Sequence, residues 1–97
     1  MVAWSRQAKR DLRAIFDHIA IDSTTQAKTV TEKIGAKVSV LEKLPRIGKI
    51  TPELGDPNVR EIPIYTYRIL YEIQTDNVEV LAIIHKRRNT KPEDIDR

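Results

Sequence analysis

The run His85-Lys86-Arg87-Arg88 gathers the densest chemistry in the chain. Histidine exchanges protons near neutral pH, and lysine and arginine hold phosphate or carboxylate oxygens. Arg60 and Arg68 lie upstream, with Glu72 close behind them. Cutting a phosphodiester without metal needs a base, cations for the crowded phosphate charge and an acid for the leaving oxygen. Arg60, Arg68 and Arg87 would supply the charge, Glu72 the base, and His85 a second proton-transferring group. The plainer reading has His85 closing a strand beside Arg68 or Tyr67. It has Arg68 paired with Glu61 or Glu72, because burying an arginine unpaired is costly. As a contact surface, Arg68, His85, Lys86, Arg87 and Arg88 would suit an acidic protein face or a phosphate. Its plain counterpart is a solubilising chain end. Little aromatic character interleaves near the run, which gives stacking of a single nucleic-acid strand poor support.

These residues are placed by a change of period along the chain. Ala8, Leu12, Ile15 and Ile19 form one apolar stripe, so residues 6–20 read as a helix capped by Ser5. Arg6, Lys9, Arg10 and Arg13 then fall on its solvated side. Ser23-Thr24-Thr25-Gln26 matches a capping box for a second helix reaching about Leu44, where Pro45 stops it. Its stripe is Ala27, Val30, Ile34, Val38 and Leu41. Gly35 in mid-helix suggests a close approach by a neighbour. The short break makes the two helices an antiparallel hairpin. Residues 45–58 hold Pro45, Gly48, Pro52, Gly55 and Pro57, a loop long enough to be functional.

Beyond the loop the period becomes two. Val59–Ile64, Tyr67–Gln74 and Val78–His85 read as strands, Val2–Trp4 as a short extra one, and residues 86–97 as a frayed basic and polar tail. The fold expected is α+β: an N-terminal helical hairpin on a three- to four-stranded antiparallel sheet, one domain over residues 1–97. With Asp76-Asn77 as a two-residue turn, Ile73 faces Val80, Tyr71 faces Ala82 and Ile69 faces Ile84 beneath the helices. Leu70, Leu81 and Ile83 then lie on the opposite face with Arg68 and His85. An apolar trio beside charge on a face turned from the core invites a partner.

Composition limits the alternatives. A chain of 97 residues with 40% hydrophobic content suits one small core. It has no cysteine, which excludes disulfides, and two histidines are too few for a protein-only zinc site. No cofactor or metal is expected. The net charge of +3 permits an anionic partner without demanding one. There is no signal-peptide core and no apolar run long enough for a bilayer, so the expected location is the cytoplasm, away from membrane.

The chain resembles RelE/ParE toxins of bacterial type II toxin–antitoxin systems. The likeness is carried by Trp4-Ser5-x-x-Ala8, Asp11-Leu12-x-x-Ile15-x-x-His18-Ile19 and Leu41-x-x-Leu44-Pro45-x-x-Gly48. It continues through Val59-Arg60-Glu61-Ile62, Tyr67-Arg68-Ile69-Leu70-Tyr71 and Val80-Leu81-Ala82-Ile83-Ile84-His85-x-Arg87-Arg88. The resemblance implies a toxin that forms a hetero-oligomer with a cognate antitoxin. ParE-like members poison DNA gyrase, and RelE-like members cut messenger RNA on the ribosome. The His85-x-Arg87-Arg88 ending, with no tyrosine in the tail, looks more ParE-like. The expectation is therefore a gyrase inhibitor without catalytic residues, contacting its target through Arg68, His85, Lys86, Arg87 and Arg88. Its antitoxin would cover Leu70, Leu81 and Ile83. The alternatives are a metal-independent ribonuclease using Arg60, Arg68, Glu72, His85 and Arg87, and an inactive binding module.

Overall fold

A computed structural model describes all 97 residues. The order is β1 (Val2–Trp4), α1 (Arg6–Ala20), α2 (Thr24–Val40), β2 (Lys49–Ile50), β3 (Val59–Ile64), β4 (Tyr67–Ile73) and β5 (Val78–His85), then a single 3-10 turn at Pro92–Asp94. Ser5 caps α1 by accepting from the Ala8 N–H at 3.0 Å, and Ser23 caps α2 by accepting from the Gln26 N–H at 3.1 Å. The α1 stripe packs on the sheet through Ala8, Leu12, Ile15 and Ile19, and α2 buries Ala27, Val30, Ile34 and Val38.

Gly35 departs from expectation. A Cβ built there would touch nothing within 4 Å, so no neighbour needs the missing methyl. Gly35→Ala should therefore stabilise the fold by about 0.5–1 kcal/mol, by removing unfolded-state freedom. Thermal melts would show this as a higher midpoint, and a lower one would mean that α2 has a hidden contact.

The sheet has five strands in the order β1-β5-β4-β3-β2, more than the three or four expected. It is mixed: β1 lies parallel to β5, and the other pairs are antiparallel. Beyond the end of β1, helix α1 takes over the edge of β5. The Ser5 N–H donates to the Val80 carbonyl at 2.9 Å, and the Ser5 hydroxyl to the Leu81 carbonyl at 2.9 Å. Asp11 Oδ2 accepts from the Ile83 N–H at 2.9 Å. Burial raises the Asp11 pKa above its ordinary value of 3.8, outweighing that hydrogen bond and the nearby Arg88 and Arg10 charges.

The register differs from the one expected. Ile73 pairs with Val78, leaving Gln74–Asn77 as a four-residue connection, with the Gln74 N–H donating to the Asn77 carbonyl at 2.8 Å. Tyr71 pairs with Val80 and Leu70 with Ala82, so Leu81 is the extra residue of a bulge. A bulge changes the parity of the strand. Val80 stays beneath the helices, Leu81 and Ala82 both turn outward, Ile83 returns inward and Ile84 faces out.

Two apolar clusters result. One lies between the helices and the sheet and includes Ile62, Ile69, Tyr71, Val80 and Ile83. The other covers the far face with Val59, Leu70, Leu81, Ala82, Ile84 and Ile95, flanked by Leu54. The C-terminal segment is therefore a lid on that second cluster and not a frayed tail. It is pinned at both sides. Gln7 donates to the Asp94 carbonyl at 2.8 Å and accepts from the Asp96 N–H at 2.9 Å. Arg97 reaches Asp56 at 2.7 Å and Glu72 at 2.6 Å.

Candidate functional site

Arg68 stands on the outer face of β4 with only 11% of its side chain exposed. It donates to Glu61 Oε1 at 2.9 Å, and to both Glu53 oxygens at 3.2 and 2.7 Å. Its Nη2 also donates to the Arg88 carbonyl at 3.0 Å. The Glu53 hydrogen bond raises the Arg68 pKa and lowers that of Glu53. The guanidinium thus joins the 45–58 loop, β3 and the turn that follows β5. Its charge is balanced within the fold by two carboxylates.

Arg60 is also engaged, donating to the Gly48 carbonyl at 3.0 Å. Beside it the buried Tyr71 hydroxyl donates to the Pro45 carbonyl at 2.6 Å and accepts from the Gly48 N–H at 3.0 Å. Burial raises the Tyr71 pKa. This clamp fixes residues 45–48. Glu72 is tied to Arg97 at the opposite end of the sheet from His85. Glu72 pairs with Glu79, and His85 lies six residues further along β5, roughly 17–20 Å away at strand rise. Arg60, Arg68, Glu72, His85 and Arg87 therefore do not converge on one phosphate.

His85 pairs with Tyr67 on the helix side of the sheet, the rings meeting edge-on with centroids 6.2 Å apart. Arg68 and His85 thus lie on opposite faces, which corrects the expected shared surface. His85 Nδ1 accepts from the Arg87 N–H at 3.2 Å, leaving the ring proton on Nε2 when the imidazole is neutral. That tautomer leaves Nε2 as a hydrogen-bond donor. The expected apolar trio is corrected as well. Leu70 and Leu81 are fully buried in the second cluster under the chain's own C-terminal lid, and Ile83 lies beneath α1. The physical reason is the bulge, which moved Ile83 to the other side.

What remains open is the end of the sheet. His85, Lys86 and Arg87 line a cleft of about 410 Å³ with Tyr65 and Thr66 from the β3–β4 turn. The Lys86 N–H donates to the Thr66 carbonyl at 2.6 Å, and the Arg88 N–H to the His85 carbonyl at 3.0 Å, fixing the backbone that presents these cations. None of the ion pairs in the fold uses Lys86, Arg87 or Arg88. Arg88 does not line the cleft, and its charge bears on Asp11. Tyr65 and Thr66 were not singled out in the sequence, because they stand about 20 positions from the basic run. Only strand pairing brings them together.

A second open feature lies on the hairpin. Trp4, Leu12 and Phe16, flanked by Lys9, Arg13 and Thr31, line a groove of about 520 Å³. Trp4 and Leu12 reach the core with part of their surface and leave the remainder facing the groove.

The family model described as "ParE toxin of type II toxin-antitoxin system, parDE" matches residues 2–90. No curated protein matches the chain. Among solved structures, a chain from "Chromosomal ParDE TA system from P. aeruginosa" superposes with a TM-score of 0.72 at 23% identity. That likeness covers 87% of this chain and 92% of the other, and it shows a shared fold. No helix is long and apolar enough to cross a membrane. With its family model running from β1 to beyond the basic run, the chain belongs to the ParE toxin family of type II toxin–antitoxin systems.

Proposed function

We propose that this ParE-family toxin inhibits DNA gyrase by binding, with His85, Lys86 and Arg87 as the contact residues, and that a cognate antitoxin neutralises it. The observation that carries the reading is the contrast among the cations. Arg60 and Arg68 are held by the fold, whereas Lys86 and Arg87 have no internal partner and sit on a fixed turn. Unpaired cations beside a concave surface raise the on-rate for an anionic partner and set its orientation. The choice of gyrase comes from the ParE-like ending of the sequence and from membership of the family.

The antitoxin is assigned to the groove between Trp4, Leu12 and Phe16. An apolar groove on a helical hairpin takes the apolar face of a helix, and Lys9 and Arg13 on its rim suit acidic residues along that helix. The complex is then a hetero-oligomer in which the antitoxin and target surfaces lie on different parts of the toxin.

The test is a supercoiling assay with purified gyrase. Lys86→Ala with Arg87→Ala should raise the toxin concentration for half-inhibition by at least about tenfold, the equivalent of ~1.4 kcal/mol. Antitoxin binding, measured by calorimetry, should be unchanged. Unaltered inhibition would remove the basic turn from the mechanism, and cleavage of ribosome-bound message with normal supercoiling would overturn gyrase as the target.

A further inference from the structure

The β3–β4 turn carries a side chain that its backbone disfavours. Tyr65 sits at φ 53°, the left-handed region, where a Cβ crowds the following carbonyl and glycine or asparagine is at home. No other non-glycine residue of the chain has a positive φ. Burial does not explain the choice, because 45% of the residue is exposed. Strain of this kind persists where neighbouring structure holds it, and it collects at contact sites. Tyr65 lines the cleft that also holds Lys86 and Arg87. Every side chain lining that cleft ends in a hydrogen-bond donor or a cation, and none is a carboxylate. The Lys86 to Thr66 backbone hydrogen bond locks the aromatic turn to the cationic one.

We infer that this cleft binds a single strand of DNA. Lys86, Arg87 and the His85 Nε2–H hold a phosphate, and a base stacks on the exposed Tyr65 ring. An aromatic face beside unpaired cations is the combination that holds single strands, with charge tracking the backbone and stacking indifferent to base. A duplex hides its base faces from such a ring. An acidic protein segment would need apolar anchors, and Tyr65 is the one hydrophobic residue among the five that line the cleft. The inference rests on the proposed target role of this end of the toxin, and it adds DNA to the gyrase surface that this end touches.

The experiment is fluorescence anisotropy of a labelled oligothymidylate of about twelve nucleotides, a length within the usual site sizes, titrated with the full-length chain. Wild type should bind, and Tyr65→Asn should weaken binding by about tenfold or more, as loss of one stacked base does. The same variant should keep or raise its Tm, because asparagine tolerates left-handed backbone. Lys86→Ala with Arg87→Ala should flatten the dependence of log K on log salt by about 0.7 per lost phosphate contact. Undiminished binding by Tyr65→Asn overturns the inference. So does a loss of binding that accompanies a fall in Tm, since that is the mark of a structural role. Tighter binding of an oligoglutamate peptide, or a preference of more than about tenfold for oligouridylate, assigns the cleft elsewhere and also overturns it. Supercoiling assays on the same variants keep the two readings apart. Inhibition without oligonucleotide binding sinks the strand and spares gyrase, whereas binding without inhibition sinks gyrase and spares the strand.

Discussion

Arg68→Ala is expected to remove roughly 3–5 kcal/mol of folding free energy, the cost of breaking a buried ion pair by taking one partner away. Glu61 would be left nearly buried with only Lys49 at 3.8 Å to face it. The Arg88 carbonyl would lose its donor, and Glu53 its tether. Domains of this size have only about 5–15 kcal/mol in total, so the variant should melt far below wild type. A urea midpoint shift equivalent to less than about 1 kcal/mol would mean that the network does not hold these three segments together. The acid limb should change as well. Arg68 holds the Glu53 carboxyl below its ordinary value of 4.5. A depressed carboxylate stabilises above its unfolded pKa, and that contribution is lost as pH falls through the folded one. The variant should therefore lose stability less steeply than wild type on acidification below about pH 4.5. Asp11 acts with the opposite sign, because its pKa is raised. It adds stability below its ordinary 3.8 that fades as pH rises through the raised value, so the Glu53 contribution reads most cleanly in an Asp11→Asn background.

Gly48→Ala should be the second most damaging single change. Its Cβ would lie 2.6 Å from the Glu61 carbonyl oxygen and 2.7 Å from the Tyr71 hydroxyl. Neither atom yields readily. The carbonyl belongs to β3, which is paired on both sides, and the hydroxyl is held by Pro45 and Gly48. Overpacking of this kind costs about 1–3 kcal/mol, and the upper end applies where backbone must move. Tyr71→Phe should cost about 1–3 kcal/mol by another route, leaving the Gly48 N–H and the Pro45 carbonyl unpaired. Combining them separates the causes. The Glu61 carbonyl still blocks the methyl, so Tyr71→Phe should not rescue Gly48→Ala. Full rescue, read from denaturant midpoints, would place the conflict on the hydroxyl alone. Both variants should also shift Ile47 and Lys49, which share a cleft with Lys86 and so border the proposed target surface.

Much of the fold was legible in the chain because its causes are local. Ser5 and Ser23 act on N–H groups three residues away, the apolar stripes follow the helical repeat, and Pro45 restricts its own neighbour. Alternation in residues 59–85 announced three strands for the same reason. The glutamate partner of Arg68 was half legible: Glu61 is adjacent in the sheet, whereas Glu53 comes from the loop.

The candidate site was not local. A two-residue turn and a four-residue connection both suit Gln74–Asn77, and nothing nearby chooses between them. The bulge at Leu81 costs a strand one unit of parity, and the sequence carries no local mark of it. That one residue sent Ile83 beneath α1 and Ile84 to the outer face, and it dissolved the expected apolar surface. The basic run, the α+β class and the two capped helices follow from residue types and short spacings. The burial of Leu70 and Leu81 under Ile95, the capture of Arg68 by two carboxylates and the meeting of Tyr65 with Lys86 are tertiary outcomes. Each draws in at least one group more than a dozen positions away, and their energies are realised only once the whole sheet has closed.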